Sequence, residues 1–321
     1  MYVLELGGED DAFAAAEAGV AADEIEVIAP GLALAPDLDL DRFRLLAFGR
    51  RAGVLVEETA PSISRAAEAT RSVPVDREGT VAVRARDVRG TSGIDTQEAE
   101  RLIGDALVER EFDVDLDDPD HVLLALFSRD TCLLAWEVVE SVRNYGSRLP
   151  TDRPFFQPGS MDPLLARSVV NLAAVRAGDR VLDPMCGTGG LLIEAGLVGG
   201  HPLGFDAQRK MVAGTRENLD AYLEVPCSVG LADATRLPLA DGSADVAVFD
   251  APYGRQSKIE THSLGDLVAA ALEETRRVAE RGVLVADRSW AVAAADAGWE
   301  VEATFERRVH RSLDRYVHVL D

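Results

Sequence analysis

Val181-Leu182-Asp183-Pro184-Met185-Cys186-Gly187-Thr188-Gly189-Gly190-Leu191 decides the fold of the second half of this chain. A short apolar run ends on a carboxylate, a glycine turn follows, and a new apolar run begins. Glycine supplies dihedrals closed to other residues and removes the Cβ that would hold a ligand away from the backbone. Two similar turns do not fit. The dinucleotide fingerprint GxGxxG accommodates Gly187 and Gly189 but meets Leu192 at its third glycine. A phosphate-binding P-loop needs a Gly-Lys-Ser/Thr that does not follow.

Outward from this turn, strands alternate with helices. The pattern predicts a helix at 162–174, a strand at 180–182, a helix at 191–198, a strand at 202–205 and a helix at 210–222. Strands follow at 228–231, 246–249 and 283–286, and 299–307 with 316–320 reads as a closing antiparallel hairpin. This is the α/β pattern of a mostly parallel, doubly wound, Rossmann-like sheet, whose ligands sit at the carboxyl ends of its strands. Asp183, Cys186, Gly187, Thr188, Gly189 and Gly190 are therefore candidate cofactor contacts. Asp206 closes the second strand, where nucleotide-binding sheets place the acid that takes ribose hydroxyls; a helix-capping aspartate is the plainer alternative. Asp233-Ala234 follows the third strand, where a side chain can accept from an adenine amine and a backbone N–H can face the ring. A solvated loop aspartate is the alternative there.

Asp250-Ala251-Pro252-Tyr253 closes the 246–249 strand and carries the substrate logic. An arylamine lone pair is delocalised into its ring and is a poor nucleophile. Two acceptors on the NH2 group, the Asp250 carboxylate and a backbone carbonyl at Ala251, hold it toward an electrophile and favour the developing positive charge. Pro252 stiffens the turn, and Tyr253 is placed to stack on a base turned out of its helix. An ordinary strand-ending turn is the alternative.

The front half reads differently. Short strands at 3–6, 25–29 and 45–48 accompany a helix at 11–18. Residues 81–86 alternate like a strand, 96–110 have helical spacing with Thr96 as N-cap, and 121–127 with 131–138 read as paired strands. This predicts an α+β unit rather than a βαβ array. Residues 144–158 hold Gly146, Pro150, Pro154 and Pro158 without apolar periodicity. They divide the chain into 1–150 and 151–321.

Composition narrows the class. Apolar residues make up 47% of the 321, ordinary for a globular protein. No run approaches the roughly 20 residues of a membrane span, and the start lacks a basic leader, so a cytoplasmic protein is expected. Cys132, Cys186 and Cys227 form no CxxC pair or Cys/His cluster, which argues against a metal site or disulfide framework. Asp and Glu total 56 against 33 Lys and Arg, a net charge of −23, and Lys210 and Lys258 are the two lysines. Such a surface stays soluble where salt screens self-repulsion, so adaptation to high salt is expected, an acidic protein with a basic partner being the alternative. In high salt, phosphate neutralisation adds little, and RNA would be held by shape, hydrogen bonds, stacking and a few arginines.

Residues 155–321 resemble a class I S-adenosylmethionine (SAM)-dependent methyltransferase. Asp183 to Gly190 resembles its first motif, and Asp250 to Tyr253 the (D/N)PP(Y/F) motif of amino-group methyltransferases. Arg153-Pro154-Phe155-Phe156-Gln157-Pro158-Gly159-Ser160-Met161 resembles the motif that folds over SAM in the RNA branch, which adds Ser160 to the candidate cofactor contacts. The front half resembles a THUMP RNA-binding domain with a preceding ferredoxin-like unit, on Val81 to Arg86, Gly104 and Val114-Asp115-Leu116-Asp117-Asp118-Pro119-Asp120. The whole chain is similar to the archaeal tRNA (guanine(10)-N2)-dimethyltransferase family. The family's first motif proline is Ala251 here, which leaves the turn freer and puts rate and methyl number in question.

The resemblance implies SAM as cofactor, tRNA as partner and direct transfer to N2 of a guanine, with a small activating protein partner also compatible. Arg84, Arg86, Arg143, Arg255 and Lys258 are the candidate RNA contacts, each with a solvated surface residue as the alternative. The competing readings are a THUMP methyltransferase for another tRNA or rRNA guanine, a DNA adenine methyltransferase, and a non-catalytic RNA-binding protein.

Overall fold

The computed structural model describes residues 1–72, 77–252, 264–310 and 313–321. The chain divides into two compact units, Met1–Arg143 and Asn144–Asp321.

In the first unit, β1 (Tyr2–Leu6), β2 (Glu26–Ala29), β3 (Leu32–Ala35), β4 (Gly49–Thr59), β5 (Thr80–Asp87), β6 (Asp113–Val114), β7 (His121–Ser128) and β8 (Thr131–Glu140) form one sheet. Its order is β2-β3-β1-β4-β8-β7-β5-β6. The helices are α1 (Asp11–Ala18), α2 (Leu40–Arg44), α3 (Ile63–Ser72) and α4 (Thr96–Val108). Period-2 alternation turns Val81, Val83 and Ala85 of β5, and Leu123, Ala125 and Phe127 of β7, toward Ala66, Ala99, Ile103 and Leu107 of α3 and α4. Each such large apolar side chain, fully buried, contributes about 1.5–3 kcal/mol.

Two readings of this unit need correction. Residues 45–48 are not a strand. They plug the core, and the backbone N–H groups of Ala47 and Phe48 donate to the buried Glu17 carboxylate at 2.7 Å each. The N-cap of α4 is Asp95, not Thr96: its carboxylate accepts from Gln97 N at 3.0 Å and Glu98 N at 3.2 Å. The α+β unit also contains a parallel crossover, since β5 runs parallel to β6 and β7 with α4 between.

In the second unit the strands are β9 (Arg180–Asp183), β10 (His201–Asp206), β11 (Ser228–Leu231), β12 (Val246–Asp250), β13 (Arg281–Ala286), β14 (Val301–His310) and β15 (Leu313–Leu320). Their order is β11-β10-β9-β12-β13-β15-β14, parallel across the first five and antiparallel at the closing pair. Helices α5 (Pro163–Leu172), α6 (Gly190–Leu197), α7 (Arg209–Tyr222), α8 (Leu264–Val278) and α9 (Ala291–Asp296) complete the doubly wound arrangement. The sequence reading passed over α8, although Val268, Ala271, Leu272, Thr275 and Val278 have helical spacing and are all buried. Strand order reverses between β9 and β12, the switch point at which such sheets bind ligands.

Residues 144–158 are not a plain linker. Two short 3-10 turns, Tyr145–Arg148 and Pro150–Asp152, lie within the second unit. Arg148 enters its interior and donates to both carboxylate oxygens of the fully buried Glu194, at 2.6 and 3.0 Å. Arg167 of α5 meets the same carboxylate at 2.9 Å. Among the described residues no helix is long and apolar enough to cross a membrane.

Candidate active site

The site grows from three adjacent strand ends. Parallel pairing of β10, β9 and β12 brings Asp206, Asp183 and Asp250 to one edge of the sheet. Asp183 is 2% exposed and accepts from Met185 N at 3.1 Å. Burial, reinforced by the neighbouring Asp206 and Asp250 carboxylates, pushes its pKa well above the usual carboxylate range. Burial also raises Asp206, against the pull of N–H bonds from Gln208 at 2.8 Å and Gly187 at 3.1 Å. Asp250 is partly open, its side chain 22% exposed, and Arg315 Nη2 lies 3.6 Å from its Oδ2.

The glycine turn lies beside these acids. Gly187 and Gly189 have φ of 52° and 79°, and Gly189 is the N-cap of α6. A Cβ at Gly187 would meet nothing within 4 Å, so the turn opens onto empty space that a ligand can enter against bare backbone. Cys186 contributes backbone only: its N–H donates to Phe205 O at 2.8 Å, while its buried thiol lies 3.7 Å from Thr215 Oγ1. Burial pushes that thiol pKa well up, so it is not a thiolate.

Segment 153–161 is tied to the turn by one buried residue. Asn218 of α7 accepts from Phe155 N and donates to both Phe155 O and Thr188 O, each at 2.8 Å. Ser160 Oγ donates to Gln157 O at 2.7 Å and lies 3.0 Å from Thr188 Oγ1, with Thr188 then the donor. Phe155 packs against Gly214, where an added Cβ would come within 2.1 Å of two of its ring carbons. Gly214→Ala is therefore expected to displace Phe155 and weaken SAM binding by about 1–3 kcal/mol, the usual cost of overpacking. Isothermal titration with SAM checks this; unchanged affinity would refute the anchoring role.

Ala251 N donates to Val285 O at 2.8 Å, extending the β12–β13 ladder by one residue, and its methyl is buried; the turn from Tyr253 onward lies outside the described residues. Ala251→Pro removes that donor and orphans a buried carbonyl. We expect a loss of about 1–3 kcal/mol in chemical denaturation; an unchanged midpoint would contradict the ladder assignment.

The remaining candidates have the following local environments. Asp233 is exposed and accepts from Thr235 N at 2.9 Å within its own turn, and Ala234 is buried beside it. Pro252 is half-buried, while Tyr253, Arg255 and Lys258 lie outside the described residues. In the first unit Arg84 donates to Leu116 O at 2.8 Å, Arg86 pairs with Glu5 at 3.4 Å and Arg143 donates to Ala47 O at 3.1 Å. Among the described residues no group of three His, Cys, Asp or Glu is arranged to hold a metal.

Sequence reasoning missed Asn218, Arg315 and the Glu194 cluster. Only the last carried a signal, a carboxylate inside the apolar run Leu191-Leu192-Ile193-Glu194-Ala195, which must find a partner once buried.

The donor set fits SAM. Asp206 suits its ribose hydroxyls and Asp183 lies beside the turn that would hold it, Asp250 being left for the acceptor amine, and the bare glycine turn admits it closely.

Comparison with known proteins agrees. Residues 150–317 match the RMKL-like methyltransferase domain family and residues 57–137 the THUMP domain. The chain is 37% identical over 247 residues to the tRNA (guanine(10)-N2)-dimethyltransferase of Methanothermobacter thermautotrophicus, covering 75% of this chain and 72% of the relative. It is 33% identical to the protein of the same name from Methanocaldococcus jannaschii, covering 71% of this chain and 66% of the relative. The crystal structure of TrmN from Thermus thermophilus shares the fold, with a TM-score of 0.51 at 19% identity, covering 100% of this chain and 99% of that one. From a methyltransferase-domain match over half its length and this identity over most of it, the chain belongs to the archaeal tRNA (guanine(10)-N2)-dimethyltransferase family.

Proposed function

We propose that this protein transfers methyl groups from SAM to the exocyclic N2 of a guanine in tRNA, with position 10 as the target. One observation carries the reading: Asp183, Asp206 and Asp250 share one sheet edge beside a glycine turn open to a ligand. Asp206 would take the ribose hydroxyls and the 187–190 backbone would lie along the cofactor. When bound, SAM supplies an electrophilic methyl on a sulfonium.

The chain's own residues supply the rest. The Asp250 carboxylate and the Ala251 carbonyl accept from the N2 amine, orient its lone pair and favour the charge that develops there. Asp250 or water takes the proton N2 sheds. Neither described buried cysteine serves as a nucleophile: burial pushes Cys132 up to about 12 and Cys186 well above its usual range. The THUMP-containing first unit would hold the tRNA, with Arg84, Arg86 and Arg143 among its candidate contacts.

The test compares an unmodified tRNA transcript with one carrying adenine at position 10, using labelled SAM in multimolar KCl. Label in the first and none in the second is expected. Equal label in both would overturn the assignment of the position.

A further inference from the structure

Arg315 of β15 belongs to no sequence motif. Asp250 lies opposite Val285 of β13, and Val285 opposite Val317 of β15. Residues two apart on a strand share a face, so Arg315 and Asp250 project from the same side of the sheet. Arg315 is 4% exposed, and a guanidinium that deep is costly unless an anion compensates it. Its Nη2 lies 3.6 Å from Asp250 Oδ2.

Asp314 and His318 of β15, and Glu306 and Arg308 of β14, alternate to the opposite face of the sheet, and Arg281 of β13 pairs with Asp179 at 2.8 Å. Asp183 ends β9 and Asp206 ends β10, both carboxylates that disfavour further negative charge. Asp287, past the end of β13, pairs with Arg288, and Arg167 of α5 pairs with Glu194. Arg307 of β14 lies opposite Arg315 in the hairpin register, adding to the positive side.

We propose that Arg315 is a positioning residue for methyl transfer: anchored in the closing hairpin, it orients the Asp250 carboxylate toward the acceptor amine and keeps it ionised against its acidic neighbours. This rests on the N2-methyltransferase reading above. Asp250 then takes the proton that N2 sheds as the N2–methyl bond forms and the methyl–sulfur bond breaks, that bond's electron pair staying on sulfur. Arg315 acts through Asp250, so its loss lowers kcat and leaves KM for SAM near its wild-type value. The sign is fixed by charge. A neighbouring cation favours the carboxylate over the carboxyl form, so removing it makes Asp250 easier to protonate and moves the acidic limb of the kcat profile to higher pH.

The experiment measures kcat and KM against pH for the full chain, wild type, Arg315→Gln and Arg315→Lys, on an unmodified tRNA transcript in multimolar KCl. In Arg315→Gln the acidic limb is expected to move up by about one pH unit, the low end of a nearby charge's effect, with kcat down about tenfold below the limb. Arg315→Lys is expected to keep the wild-type limb. An unmoved limb in Arg315→Gln overturns the proposal, as does a loss confined to KM. If the Gln variant does not fold, the Lys variant decides, and a displaced limb there overturns it. Absence of guanine methylation by wild type would instead overturn the underlying function.

Discussion

Asp250→Ala is expected to lower kcat by about 10³-fold, because it removes both an oriented acceptor and the proton's nearest destination. SAM binding should change far less, since the glycine turn, Asp206 and the Asn218-anchored segment remain. Asp250→Asn separates the two roles. It keeps an acceptor oxygen but cannot take a proton, and should fall between wild type and alanine. Single-turnover kinetics with equilibrium SAM titration checks both variants. A loss of less than tenfold in Asp250→Ala would place the acceptor carboxylate elsewhere.

The largest effect on stability is expected at Glu194. Its carboxylate is fully buried and holds Arg148 and Arg167, with Arg153 buried close by. Burial lowers the Arg153 pKa while the Glu194 charge pulls it back up. Glu194→Ala removes the anion that Arg148 and Arg167 share, and breaking a buried pair from one side costs about 3–5 kcal/mol. For a unit of this size the melting temperature should drop on the order of 10 °C. Arg148 anchors the segment that leads to Phe155 and Ser160, so SAM affinity should fall as well. The double variant Glu194→Met with Arg148→Met should recover part of the loss, since an apolar replacement of both partners orphans fewer charges. Differential scanning calorimetry reads all of these. A Glu194→Ala protein that melts like wild type would contradict the cluster's role.

The parallel sheet and the strand ends that carry Asp183 and Asp250 were legible because their signals are local. Val181 to Gly190 spells strand, turn and helix in consecutive residues, and Asp250 follows an apolar run at a position where strands end. The 11–18 helix was legible for the same reason: Asp10 caps it through Phe13 N at 3.1 Å. Local signals also misled. Leu45 to Phe48 has the hydrophobicity of a strand, but the Glu17 carboxylate takes its backbone donors and the strand begins at Gly49 instead. The hydrogen bond from Ala251 N to Val285 O was not legible because Val285 is distant in sequence. Asn218 and Arg315 were invisible for one physical reason. Each acts on a residue distant in sequence that only the folded chain brings beside it, and a lone Asn in a helix or Arg in a strand reads as surface until the fold is assembled.

The most direct test of the central claim is the chemical identity of the product. An unmodified tRNA transcript is incubated with the protein and methyl-labelled SAM in multimolar KCl, digested to nucleosides and analysed by chromatography with mass detection. Label is expected in N2-methylguanosine and N2,N2-dimethylguanosine, lost on Asp250→Ala. Label in methylated adenosine or on a ring carbon, or none with SAM binding also absent, would contradict it.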